Sequence, residues 1–124
     1  MIEHGADGAS LVGGISPTSG HHHFPLADRC PYSGADDVQR VLLPRTGRLW
    51  LWTAVTTAPP GYAGPVPYGF GIVALDGIDL RVVTRLTETD PAALAEGVAM
   101  RLVVEKLPGP DGQPVEAWTF EVVV

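Results

Sequence analysis

At 124 residues, with 45% hydrophobic and 18% charged side chains, the chain suits one globular domain or a domain with a small appendage. A formal net charge of -6 argues against a phosphate-binding surface, so no nucleic-acid partner is expected. The single cysteine excludes an internal disulfide, which fits a cytoplasmic protein, and no run of about 18 apolar residues is present to cross a membrane.

The first five residues, Met1-Ile2-Glu3-His4-Gly5, lack the basic and apolar regions of a secretion signal. Residues 1–14 are rich in Gly and Ala with little periodicity, and they predict a flexible N-terminal arm. Turn chemistry follows: Ser16-Pro-Thr-Ser19-Gly20, the triplet His21-His22-His23, Phe24-Pro25, and Cys30-Pro-Tyr-Ser33-Gly34. The histidine triplet reads as solvent-exposed, or partner-facing beside Phe24. Val38, Val41, Leu42 and Leu43 turn apolar, and Pro44 and Gly47 mark a boundary.

Residues 47–57 predict a long first strand, with Trp50 and Trp52 on one face and Leu49, Leu51 and Thr53 on the other. Residues 56–68 then bring four prolines and two glycines around Tyr62 and Tyr68. Proline has no backbone donor, so this stretch is no interior strand. It reads either as an ordered, sticky loop or as a stiff connection covering one end of a barrel; the residues do not separate the two. Residues 68–75 predict a second strand, Asp76-Gly77 a type I′ hairpin turn, and residues 78–86 a third strand. There Leu80, Val82, Thr84 and Leu86 face one way and Arg81, Val83 and Arg85 the other. Residues 90–97 are the one helix candidate, about two turns long, with Asp90 as cap, Pro91 first and Gly97 as stop. Residues 98–106 predict a fourth strand with Met100, Leu102 and Val104 inward, residues 107–114 a turn, and residues 115–124 a fifth strand.

Five strands with one short helical segment between the third and fourth predict a mainly β fold, a five-stranded OB-type barrel over residues 46–124. No nucleophile elbow of the Gly-x-Ser-x-Gly type and no phosphate loop is present. Cys30 is the one thiol, and a catalytic cysteine needs a base and an electropositive setting. No catalytic residue is therefore assigned. Asp36, Asp37, Glu88 and Asp90 read as turn and cap residues. Trp50, Trp52 and Trp118 read as core or interface aromatics rather than as base-stacking platforms.

Two features together resemble a known family. Ser16-x-x-Ser19-Gly20 and Cys30-x-x-Ser33-Gly34, with ten residues between Ser19 and Cys30, have the layout of a four-cysteine zinc ribbon with Ser at three of the four ligand positions. Pro59-Pro60-Gly61-Tyr62 through Pro65-Val66-Pro67-Tyr68, followed by Val73-Ala-Leu-Asp-Gly and Thr84-Arg-Leu, fits the family's barrel. The chain resembles the acyl-CoA-associated OB-fold proteins with an N-terminal rubredoxin-like ribbon, the DUF-thirty-five group, over residues 15–124. The resemblance implies a degenerate ribbon over residues 15–45. It implies an accessory subunit, not an enzyme by itself, that binds a thiolase-fold or hydratase-type large subunit acting on acyl-CoA thioesters. Such assemblies are often two large plus two small subunits. Phe24, Tyr32, Pro60, Tyr62, Pro65 and Tyr68 become candidate partner contacts. Tyr62 is expected against the partner and Tyr68 nearer the barrel. Arg81, Arg85 and Arg101 become candidate contacts for CoA phosphates or an acidic partner surface, against a solvated outer face as the plainer reading. Ser16, Ser19, Cys30 and Ser33 are then relict metal positions. Serine is a poor zinc ligand, so no zinc and no other cofactor is expected. The alternative is a stand-alone OB-fold module binding a ligand or nucleic acid.

Overall fold

A computed structural model describes residues 2–5, 8–57, 60, 66–109 and 111–123. Among them nine strands follow in order: β1 (Ile2–Gly5), β2 (Gly8–Ile15), β3 (His22–His23), β4 (Gln39–Leu42), β5 (Thr46–Val55), β6 (Tyr68–Leu75), β7 (Arg81–Leu86), β8 (Ala99–Pro108) and β9 (Pro114–Val122). Strands β5 to β9 close a barrel in the order β5-β6-β7-β9-β8. Its one parallel seam sets Leu86 of β7 opposite Phe120 of β9, and Thr87 N–H donates to Phe120 O at 3.0 Å. This is the OB-type barrel that the strand count predicts. Closure hides the strand edges that a Val-rich chain would otherwise expose.

The alternation on β7 is as the sequence reads: Val82, Thr84 and Leu86 are buried, while Arg81 and Val83 are exposed. Met100 and Leu102 of β8 point in, and Val104 is half-buried. Leu49, Val73, Leu75, Val82, Leu86 and Phe120 meet in one apolar core.

Four expectations need correction. The predicted flexible arm is largely a hairpin: β1 pairs with β2, and β2 pairs with β3 and β4. Leu11 is fully buried in the same core as the barrel, so apolar burial orders a segment whose composition looks loose. Gly13 lets the strands close there, since an added Cβ would come within 2.6 Å of the His23 backbone oxygen. Second, the β6–β7 connection is not a type I′ turn. Gly77 has φ +81°, but no non-glycine residue has positive φ among the described residues. The loop is four residues long, closed by Leu75 N–H donating to Leu80 O at 3.0 Å. Third, the predicted helix is a single 3-10 turn, Pro91–Ala93. Asp90 does cap it, accepting from Ala92 N–H at 3.0 Å, but so short a stretch lacks the packing a helix needs.

The fourth correction lies on β5. A bulge shifts the register between Leu49 and Leu51. Leu49 faces the core, yet Leu51, two residues on, is 52% exposed. An extra residue in one strand flips the alternation beyond it. Leu49 and Leu51 therefore do not share a face.

Candidate functional site

The two turn segments do come together. Gly20 N–H donates to Ser16 O at 2.7 Å, and Gly34 N–H donates to Cys30 O at 2.8 Å, so each forms a tight knuckle. Ser19 Oγ lies 3.3 Å from Cys30 Sγ. The Ser19 hydroxyl, and then the Ser33 hydroxyl, hydrogen-bond the sulfur and hold the Cys30 pKa at about 6, below its ordinary 9.0, although burial pushes it up. Ser16 turns away. Its hydroxyl donates to Asp37 Oδ1 at 2.5 Å, and Thr18 donates to Oδ2 through both its hydroxyl (2.6 Å) and its backbone N–H (3.0 Å). The Ser16 bond first, then those from Thr18, keeps the Asp37 carboxyl below its usual range.

Three of the four relict positions thus meet, and the fourth is committed elsewhere. A structural zinc site wants four thiolate or imidazole ligands. One thiol hydrogen-bonded to hydroxyls does not fit it, and among the described residues no group of three His, Cys, Asp or Glu side chains could hold a metal. The histidines do not complete a set. His23 is buried, which corrects the exposed reading of the triplet, and its Nε2 accepts from Ala27 N–H at 3.3 Å. His21 Nδ1 lies 2.9 Å from Asp79 Oδ2, and its ring packs against Tyr32 at a 40° tilt with centroids 4.8 Å apart, tying the knuckles to the β6–β7 loop.

The six predicted partner contacts separate. Tyr32 is 61% exposed and Pro60 is exposed. Phe24 is half-buried, edge-on to Trp118 at 5.5 Å between ring centroids. Tyr68 is only 7% exposed: it packs in the barrel, as its distinction from Tyr62 anticipates, and presents little surface to a partner. Tyr62 and Pro65 lie outside the described residues.

Nor do the three arginines form one open cluster. Arg85 pairs with Glu105 of β8 and lies over the Tyr68 ring at 5.3 Å. Arg101 Nε donates to Glu121 at 2.6 Å. Arg81 instead stacks on Trp50, 4.0 Å from the ring centroid. These contacts answer two of the charges within the chain, which weakens the phosphate-contact reading for Arg85 and Arg101.

A surface that sequence reasoning missed lies on the outer face of β5, β6 and β7. The register arranges it in cross-strand rows. Arg48, Ala74 and Arg81 stand abreast. Beyond the bulge come Leu51, Ile72 and Val83, and then Thr53, Phe70 and Arg85. Leu51 and Val83 are 52% and 56% exposed, and a shallow groove runs along the apolar row. Gly71 makes the bulge fit, because a Cβ there would stand 2.4 Å from Leu51 O. The readable signal was composition: these three strands hold arginines and no Asp, Glu or Lys.

Comparison with known proteins agrees with this architecture. Residues 40–105 match the family described as ChsH2, C-terminal OB-fold domain. A DUF35 domain-containing scaffold protein of Pyrococcus furiosus is 29% identical over 97 residues, spanning 78% of this chain and 70% of that protein. The solved structure titled Ltp2-ChsH2(DUF35) aldolase superposes with a TM-score of 0.71 at 23% identity, covering 93% of this chain and 86% of its own. At that identity the likeness speaks for the fold. The family match spans more than half of the sequence, and the chain belongs to the ChsH2 C-terminal OB-fold family of DUF35 proteins.

Proposed function

We propose that this protein is a non-catalytic accessory subunit of a hetero-oligomeric complex acting on acyl-CoA thioesters, and that its partner is a thiolase-fold subunit performing thiolysis, condensation or retro-aldol cleavage. The observation that carries the reading is its family, whose related members are named as a scaffold protein and as part of a two-protein aldolase. The site chemistry supports it. The one thiol is buried among hydroxyls that stabilise its thiolate, and none of its hydrogen-bond partners is a base that could relay a proton. Within this reading residues 15–45 are a degenerate ribbon in which hydrogen bonds join Ser19, Cys30 and Ser33, and Tyr32, Pro60, Tyr62 and Pro65 are partner contacts. A nucleic-acid module is the weaker alternative, because the net charge is -6 and Arg85 and Arg101 are already paired with carboxylates.

Co-expression with a thiolase-type subunit from the same genome tests the proposal. The two should co-purify at a fixed ratio, turn over acyl-CoA only together, and keep that activity in Cys30→Ala. Turnover by the isolated chain that disappears in Cys30→Ala would overturn it.

A further inference from the structure

The outer face of β5–β7 differs in composition from the rest of the molecule. The chain carries a net charge of -6, yet Thr46–Val55, Tyr68–Leu75 and Arg81–Leu86 contain three arginines and no carboxylate. Arg, Trp and Phe are enriched at protein interfaces while Lys, Asp and Glu are depleted, and this face has that signature. Its apolar middle row, Leu51–Ile72–Val83, stands beside a row ending in Arg48 and Arg81. Arg81 lies flat on Trp50, so one guanidinium face is held by the ring. The bulge supplies the apolar row, since without it Leu51 would share the inward face of Leu49.

Charge and shape select the occupant. A small ligand is normally buried over most of its surface, and this groove is open and shallow. A second copy of the chain is a poor match: the three strands bring no carboxylate of their own, and Glu105 and Glu116 at the border of the face already hold Arg85 and His4, so a two-fold pairing offers Arg48 and Arg81 no free carboxylate from these strands. The remaining occupant is a different protein with an apolar ridge flanked by Asp or Glu.

We propose that the rows headed by Arg48–Arg81 and Leu51–Ile72–Val83 are the docking surface for the acyl-CoA-acting partner subunit, which meets them with an apolar ridge and carboxylates opposite Arg48 and Arg81. The inference rests on the accessory-subunit reading and adds the surface through which it works.

The test titrates the purified thiolase-type subunit with wild-type chain and with Val83→Glu, Arg81→Glu and Leu42→Glu, at low and high salt. Leu42 is an exposed leucine on the other sheet and serves as the control. Val83→Glu and Arg81→Glu should each weaken Kd by about thirtyfold or more, the size of a hot-spot loss, and Leu42→Glu should bind as wild type. Added salt should weaken the wild type more than Arg81→Glu. Circular dichroism checks each fold; should Val83→Glu unfold, Arg81→Glu, a change at an exposed side chain, decides alone. If wild type and both face variants bind equally, the docking surface is wrong and the accessory reading stands. If the wild type itself fails to bind, the accessory reading falls and the docking surface with it. A self-associating chain that Val83→Glu renders monomeric would make a second copy the occupant and overturn the proposal.

Discussion

At Cys30 one thiol and two hydroxyls act as a unit. A buried thiol should titrate high, because burial disfavours the charged form. Here the Ser19 and Ser33 hydroxyls point at the sulfur and bring the pKa to about 6. The thiolate absorbance of the folded protein should therefore rise with a midpoint near pH 6 instead of the ordinary 9.0. In Ser19→Ala the midpoint should move up, since the hydroxyl that does most to stabilise the thiolate is gone. A lowered native pKa also sets a sign. The hydrogen bonds stabilise the fold fully above pH 9.0, and that contribution fades as pH falls through about 6. An unchanged midpoint in Ser19→Ala would mean that the 3.3 Å contact does not act on the thiolate. The spacing of Ser16, Ser19, Cys30 and Ser33 was legible in the sequence as paired knuckles. That Ser16 bonds to Asp37 was not, because Asp37 lies 21 positions away and is brought in by the fold.

Among the elements, β5 carries the most consequence. Its sequence alternates too weakly to reveal a bulge, since Leu49, Trp50, Leu51 and Trp52 are all apolar and either phase would bury two of them. β7 was legible because its two faces differ chemically, with Arg81 and Arg85 against Val82, Thr84 and Leu86. Strands β1 and β2 were not, because glycine-rich, small-residue sequence shows no period until a neighbour covers it. The bulge can be tested through its complement. Gly71→Ala would place a methyl group 2.4 Å from Leu51 O and 3.2 Å from Trp52 Cα, both backbone atoms that cannot swing aside. Overpacking of this kind costs about 1–3 kcal/mol. Chemical denaturation should show a lower midpoint with an unchanged slope. Gly77→Ala is the comparison: nothing stands within 4 Å of its Cβ, and only its φ of +81° resists the change.

For the whole molecule, the sequence suggests an appendage followed by a barrel, and the packing joins them. Leu11 and Leu43, which precede the barrel, share one apolar cluster with Leu49, Met100 and Phe120. Leu43 N–H donates to Leu11 O at 2.9 Å, and Leu102 N–H of β8 donates to Arg45 O at 2.7 Å. All three tryptophans lie on barrel strands, and Trp50 and Trp52 report the barrel, while Trp118 also touches Phe24 of the N-terminal segment. Leu11→Ala, a large-to-small change at a fully buried site, should cost about 2–5 kcal/mol. The loss should appear in the tryptophan signal as one cooperative transition at lower temperature. A barrel signal that melts as in the wild type would show instead that the N-terminal sheet opens on its own.

The strand order also fixes a sequence of events during synthesis. β9 lies between β7 and β8 in the ring, so until residues 114–122 leave the ribosome both of those strands have a bare edge. β5 pairs with β6 and β6 with β7, and all three are made well before that seam, while the other edge of β5 waits for β8. The face assigned to the partner is thus the earliest finished part of the barrel, and its last-made strand is the one that seals the ring.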